Sequence, residues 1–178
     1  MMDCRAALLN ATGDYESAKK NLVDQGISKA AKKADRAAKE GIVGSYIHFG
    51  GKIGVLVEIN CETDFVARNE RFAELVRDVA MHIAATPVKY VSRDQVPEEE
   101  LASQRAEFAK AAEGKPANVV DKIVEGKLNK WFEENVLLDQ PFIKDDDQTI
   151  GELVGKLVGI LGENIQIRRY AKFALGEP

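Results

Sequence analysis

The sequence is poor in the residues from which catalytic and metal chemistry is usually built. Among 178 residues there are two cysteines, two histidines, one tryptophan and five prolines. Cys4 and Cys61 stand far apart with no CxxC spacing. That excludes a zinc knuckle and argues against a disulfide framework, which leaves a reducing cytoplasm as the expected setting. Neither His48 nor His82 stands at metal-ligand spacing with other ligands. No apolar run approaches the ~18 residues of a membrane span. The opening Met1-Met2-Asp3-Cys4-Arg5 has an early acid and no long apolar stretch behind it, unlike a secretory signal. Positive charge is not in excess either. The formal net charge is -4, whereas a general nucleic-acid binder is more often basic. GxSxG, HExxH and GxGxxG are all missing. Without a catalytic constellation, a binding protein is the better class than an enzyme, and neither a cofactor nor a metal is expected.

The remaining composition is that of an ordinary globular chain. Hydrophobic residues make up 45% and charged residues 30%, enough for one sizeable core with a small appendage. Residues 1 to 26 read as two short helices. Ala6, Ala7, Leu8, Leu9 and Ala11 form an apolar patch on the first, and Gly13 stops it. Asp14 suits the N-cap of the second, which carries Ala18, Leu22 and Val23 and ends at Gly26. Two such helices bury too little to stand alone, so Leu8, Leu9 and Leu22 are expected to be partly exposed. Ser28 to Glu40 reads as a separate, alanine-rich helix. Lys29, Lys32, Lys33 and Arg36 would then share one face. That stripe reads as a solvated linker, with a phosphate-binding surface as the alternative. No aromatic is interleaved with it to stack a base.

From Gly41 the hydrophobic period changes from helical to alternating. Ile42 to Phe49, Gly50-Gly51 and Lys52 to Asn60 predict a β-hairpin. Asn69 then suits the cap of a helix to Ala85, with Phe72, Leu75, Val76, Val79, Ala80, Ile83 and Ala84 on one face. His82 beside that stripe reads as a satisfied edge residue. Two further helices follow, from Pro97 to Glu113 and from Ala117 to Glu134. Leu137 to Ile143 reads as an apolar connector. Asp145-Asp146-Asp147 lacks the spacing and the glycine of a calcium loop and reads as solvated. Thr149 and Glu152 form a capping box for a helix bearing Gly151, Gly155 and Gly159 at spacing four. Those glycines predict close approach of another backbone. The segment Gly151 to Lys156 is not a phosphate loop, because Leu157 stands where a magnesium-binding Ser or Thr is needed. Ile165 to Leu175 alternates as a third strand, which gives an α+β core of about three antiparallel strands packed with helices.

Between the hairpin and its following helix lies Cys61-Glu62-Thr63-Asp64-Phe65-Val66-Ala67-Arg68-Asn69. A phenylalanine in such a connection is either tucked under as a plug or held out for insertion into something else. Taken alone it reads more readily as the plug, since loop apolar groups usually find local cover. The adjacent helix, however, already has a full apolar stripe without it.

Glu58-Ile-Asn-Cys-Glu-Thr-Asp-Phe-Val-Ala-Arg-Asn69 resembles the signature of the elongation factor Ts family, the bacterial guanine-nucleotide exchange factors for elongation factor Tu. Met1 to Leu8 resembles the second helix of that family's ubiquitin-associated-like N-terminal module. Lys29-Ala-Ala-Lys-Lys-Ala34 resembles its linker, and Gly162-Glu-Asn-Ile165 with Arg168-Arg169 its core. The resemblance implies an incomplete N-terminal module at 1-26, begun after its first helix, a basic linker helix at 27-40 and a dimerisation core at 41-178. It implies the short form of the family, a possible homodimer, and elongation factor Tu as partner through its GTPase and other domains. Neither a membrane nor direct nucleic-acid binding is expected. It further implies that Thr63, Asp64, Phe65 and Val66 form a tip that reaches the partner's magnesium and nucleotide site. Phe65 would be the wedge and Asp64 a polar anchor, with Thr63 and Val66 shaping the tip.

Overall fold

The computed structural model describes residues 2-112, 114 and 116-177, and for residues 2-4, 19, 23-25, 27-29, 31, 117 and 118 the backbone alone. In chain order the elements are α1 (Met2–Asn10), α2 (Tyr15–Ala31), β1 (Glu40–Ile47), β2 (Ile53–Cys61), α3 (Asp64–Ala67) and α4 (Glu70–Ala85). There follow α5 (Glu98–Lys110), α6 (Ala117–Asn135), β3 (Pro141–Phe142), β4 (Asp145–Thr149), α7 (Ile150–Leu161) and β5 (Gln166–Ala174). They form two compact units, one of Met1–Met81 with Glu152–Pro178 and the other of His82–Gly151.

The first unit is built on a three-stranded antiparallel sheet in the order β1-β2-β5, the α+β arrangement that the alternating runs predict. Gly50 and Gly51 close the hairpin with φ of +88° and +69°, a region that L side chains avoid. Val55, Val57, Ile59 and Cys61 alternate onto the buried face. The stripe of α4 covers that face, and Phe72, Leu75, Val76 and Val79 are all buried. Gly44 makes the close fit possible: a Cβ there would lie 2.1 Å from Val76 Cγ1.

The two N-terminal helices depart from expectation at their junction with the sheet. Ala7, Ala11 and Ala18 bury together with Leu22 partly covered on them, while Leu8 and Leu9 are exposed. Asp14 caps α2, accepting from the Glu16 N–H at 3.0 Å and the Ser17 hydroxyl at 2.9 Å. Gly26, however, does not end the helix. α2 runs through it to Ala31, and residues 32-36 are turns rather than a second helix. One interior glycine costs only ~1 kcal/mol of propensity, and the backbone at Gly26 is in use. A Cβ on Gly159 of α7 would lie 3.0 Å from the Gly26 Cα, so these helices meet backbone to backbone.

In the second unit, Val96, Leu128, Trp131, Phe132 and Val136 form a core, with Tyr90, Leu101 and Phe108 packed against it. Arg93 lies over the Phe132 ring at 4.4 Å and pairs with Asp139 at 2.7 Å. His82 is satisfied but is no edge residue, because it is fully buried. Its Nε2 meets Gln140 Oε1 at 2.9 Å, and its Nδ1 accepts the Ile143 N–H at 3.4 Å. The Gln140 amide donates to the Pro87 and Glu134 carbonyls, which fixes its oxygen toward the ring. The supposed connector around Pro141 in fact pairs with Asp145–Thr149 as a short hairpin, with the Asp145-Asp147 side chains exposed. Periodicity cannot reveal a strand of two residues. A Cβ on Gly151 would lie 2.9 Å from the Leu138 carbonyl oxygen, again the close approach that the glycine spacing predicts. Among the described residues, no helix is long and apolar enough to cross a membrane, and no cluster of ligating side chains is placed to hold a metal.

Candidate partner-binding tip

Strand β2 delivers the chain straight into the 61-69 connection, and this connection is not a loose loop. Residues 64-67 wind into the single turn of α3. Thr63 caps that turn from an extended conformation (φ -130°, ψ 155°), its Oγ1 facing the Val66 N–H at 3.4 Å. Val66 and Ala67 lie on the inner side of the turn and are buried. On the outer side, Phe65 keeps 80% of its surface exposed. Asp64 is also exposed and pairs with Arg68 one turn on at 2.9 Å. Asn69 closes the connection and opens α4, its Oδ1 accepting the Arg71 N–H at 2.9 Å.

The four expected site residues therefore divide. Asp64 and Phe65 are presented to solvent, Thr63 is exposed but commits its hydroxyl to Glu163 and to the cap of the turn, and Val66 anchors the turn from beneath. The plug reading of Phe65 does not describe this conformation. Val66 does the local packing, and the aromatic ring is presented to solvent.

The root of the tip is polar and tightly bonded. Glu163 Oε2 accepts the N–H groups of Glu62 and Thr63 at 3.1 and 3.0 Å, and its Oε1 accepts the Thr63 hydroxyl at 2.7 Å. In return, Glu62 Oε1 accepts the Asn164 N–H at 2.7 Å. The Asn164 side chain donates to the Ala34 and Arg36 carbonyls, and Lys33 donates to the Gly162 carbonyl at 2.6 Å. Buried Cys61 donates its thiol to the Thr63 carbonyl. Burial first, then the carboxylates of Glu163 and Glu40, push that thiol above its ordinary pKa, so it remains a protonated donor. Lower on the sheet, a register shift next to Glu58 turns both Arg168 and Arg169 onto its carboxylate, at 2.8 and 2.6 Å. These two hydrogen bonds hold Glu58 below the usual carboxylate range.

The same contacts dissolve the basic stripe. With α2 ending at Ala31, Lys32, Lys33 and Arg36 do not share a helical face. Lys33 is turned to Gly162, and Arg36 lies 3.6 Å from Glu62. The Lys29 side chain lies outside the described ones. Sequence reasoning placed the tip but missed Glu62, Glu163 and Asn164 as its supports. Glu62 stands 101 and 102 residues from Glu163 and Asn164 in the chain, and no spacing rule connects them. The only signals were Glu62 inside the Glu58 to Asn69 signature and the Gly162-Glu-Asn-Ile165 segment, and neither carried a supporting role in the resemblance.

Comparison with known proteins places the whole chain in a family. A family model described as Elongation factor TS matches residues 26–177. The chain belongs to the elongation factor Ts family. It is 53% identical to the elongation factor Ts of Geotalea uraniireducens (strain Rf4), over 99% of this chain and 83% of that protein. It is 51% identical to that of Caldanaerobacter subterraneus subsp. tengcongensis, over 99% of this chain and 90% of the other. With that of Carboxydothermus hydrogenoformans the identity is 54%, over 99% and 82%. Family membership supports a role in translation as the nucleotide exchange factor for elongation factor Tu, which involves no covalent chemistry of its own. The tip lies within the matched span.

Proposed function

We propose that this protein promotes GDP release from elongation factor Tu by inserting the Thr63–Val66 tip beside the partner's magnesium and nucleotide site. Exchange of this kind is linkage. A factor that binds the nucleotide-free partner better than the nucleotide-bound one weakens the nucleotide by the same factor. Magnesium bridges phosphate and protein, so disturbing its site removes a large attractive term. The observation that carries the reading is Phe65, 80% exposed on the outer side of a turn whose inner residues are buried. An aromatic held out by a bonded scaffold suits insertion, because little has to be ordered on binding. Asp64 stands beside it as the polar anchor.

We read the expected 1-26 module, 27-40 linker and 41-178 core as functional parts rather than as structural units, since α2 continues through residue 26 to Ala31 and residues 41-178 contribute to both compact units. Exposed Leu8, Leu9 and Tyr15 on the N-terminal helices suit contact with the partner's GTPase domain, and the core suits its other domains. A second copy of the chain suits the outer sheet face. Val43, Ile47, Leu56 and Phe173 are exposed there, whereas an open antiparallel sheet is ordinarily polar on its solvent side. The setting proposed is the cytoplasm. The test of the main reading is release of labelled GDP from elongation factor Tu with and without the protein. Release at the spontaneous rate in the presence of excess protein refutes it.

A further inference from the structure

A helix of four residues has no stability of its own, since helices shorter than ~12 residues are marginal in water. The conformation that holds Phe65 outward must therefore be imposed from outside α3. The Asp64–Arg68 pair is exposed on both sides, 64% and 81%, and such pairs contribute little. Buried Val66 and Ala67 fix the underside of the turn, but they leave its entry from β2 undetermined. At that entry stands Glu163, the only side chain in the described contacts that holds the backbone of both Glu62 and Thr63.

The carboxylate does more than tie two N–H groups. The Thr63 hydroxyl has a single proton, and Glu163 Oε1 takes it at 2.7 Å. A lone pair of Oγ1 is thereby left to face the Val66 N–H, which is the cap that starts α3. All three bonds to Glu163 are charge-assisted, the stronger class of hydrogen bond. Glu163 is itself held in place on a short turn, whose next residue, Asn164, is tied back to Glu62, Ala34 and Arg36.

We infer that Glu163 is a positioning residue for nucleotide exchange: it sets the Thr63 hydroxyl and the 62-63 backbone so that α3 presents Phe65 before the partner arrives. It does not touch the partner's nucleotide and acts through the tip. The inference rests on the tip reading proposed above.

The test uses the full chain with three variants, Glu163→Ala, the isosteric Glu163→Gln, and Phe65→Ala as reference. GDP release from elongation factor Tu is followed over a range of factor concentrations. Hydrogen exchange of the backbone amides is measured in the free protein. Glu163→Ala is expected to lower the maximal release rate about 10-fold, the scale of losing charge-assisted bonds. The half-saturating concentration should move by less than roughly 3-fold, because contacts outside the tip persist. The amides of Glu62, Thr63 and Val66 should exchange at least about 10-fold faster while those of Val55 to Ile59 stay protected. Should Glu163→Ala fail to fold, Glu163→Gln carries the same readouts, since it keeps the shape but turns an N–H2 toward groups that need an acceptor.

An unchanged maximal rate, with Phe65→Ala impaired, overturns the role of Glu163 and leaves the tip reading standing. So does slowed release with the amides of Glu62, Thr63 and Val66 still protected, or a loss of protection spread evenly along β2. Full exchange by Phe65→Ala overturns the tip reading itself, and with it the role of Glu163.

Discussion

Truncating Phe65 to alanine separates a presented aromatic from a structural one, because the two make opposite demands on stability and exchange. The ring keeps 80% of its surface exposed. A fully buried phenylalanine removes on the order of 200 Å² from water. The covered fifth is then roughly 40 Å², or about 1 kcal/mol at ~25 cal/mol per Å². In a chain of this size such a loss lowers Tm by roughly 2–4 °C. Insertion into an apolar slot of elongation factor Tu would bury the remainder, roughly 160 Å² and about 4 kcal/mol if complete. Each 1.4 kcal/mol is tenfold, so incomplete burial still slows GDP release on the order of 100-fold. The assay is stopped-flow release of a fluorescent GDP analogue at sub-saturating factor, paired with thermal unfolding of the same samples. A Tm drop beyond about 6 °C with exchange intact would refute the reasoning, since Phe65 would then be holding this protein together rather than opening another.

The other outcomes are smaller or of different kind. Asp64→Asn should leave Tm within about 1 °C, because its pair with Arg68 is exposed, yet slow release several-fold if the carboxylate meets the partner; unchanged release removes Asp64 from the site. Burial holds the His82 pKa below its ordinary value, against a smaller opposing contribution from Gln140. Protonation would also set an N–H against that of Ile143. A base depressed in the folded state contributes stability above its unfolded pKa and loses it as pH falls below that value. Unfolding by denaturant should therefore show stability declining from about pH 6.5 downward, by at most ~1.4 kcal/mol per pH unit. The decline should flatten in His82→Gln, and an equally steep decline in that variant assigns it elsewhere. Leu56→Glu, at a position 48% exposed, should convert a dimer to a monomer in light scattering with the circular dichroism unchanged, and should make Tm independent of protein concentration. A wild-type chain already monomeric at high concentration contradicts the sheet-face contact.

Much of this architecture was legible because it repeats locally. The alternation from Ile53 to Ile59 and the seven-residue stripe from Phe72 to Ala84 each commit a segment to one period and one buried face. The burial of those residues follows that pattern. Turn chemistry was equally local, as Gly50-Gly51 and the caps at Asp14 and Asn69 show. What failed was where local cues compete with contacts. Gly26 signals a helix end, yet the close approach of Gly159 accompanies a helix that continues through it. His82 lies beside an apolar stripe, and its complete burial is made tolerable by Gln140 and the Ile143 N–H, 58 and 61 residues on.

The tip shows both halves of this division. By itself the sequence determined that an acid and an aromatic stand together between a strand and a helix, and that their neighbours resemble those of an exchange factor. It could not determine whether Phe65 faces in or out, because one aromatic in a short connection has no period to read. The tertiary structure decided that. Val66 takes the buried side of a single helical turn, and Glu163 takes the hydrogen bonds at the turn's entry. Those two contacts, one local and one a hundred residues distant, leave Phe65 no place but the surface.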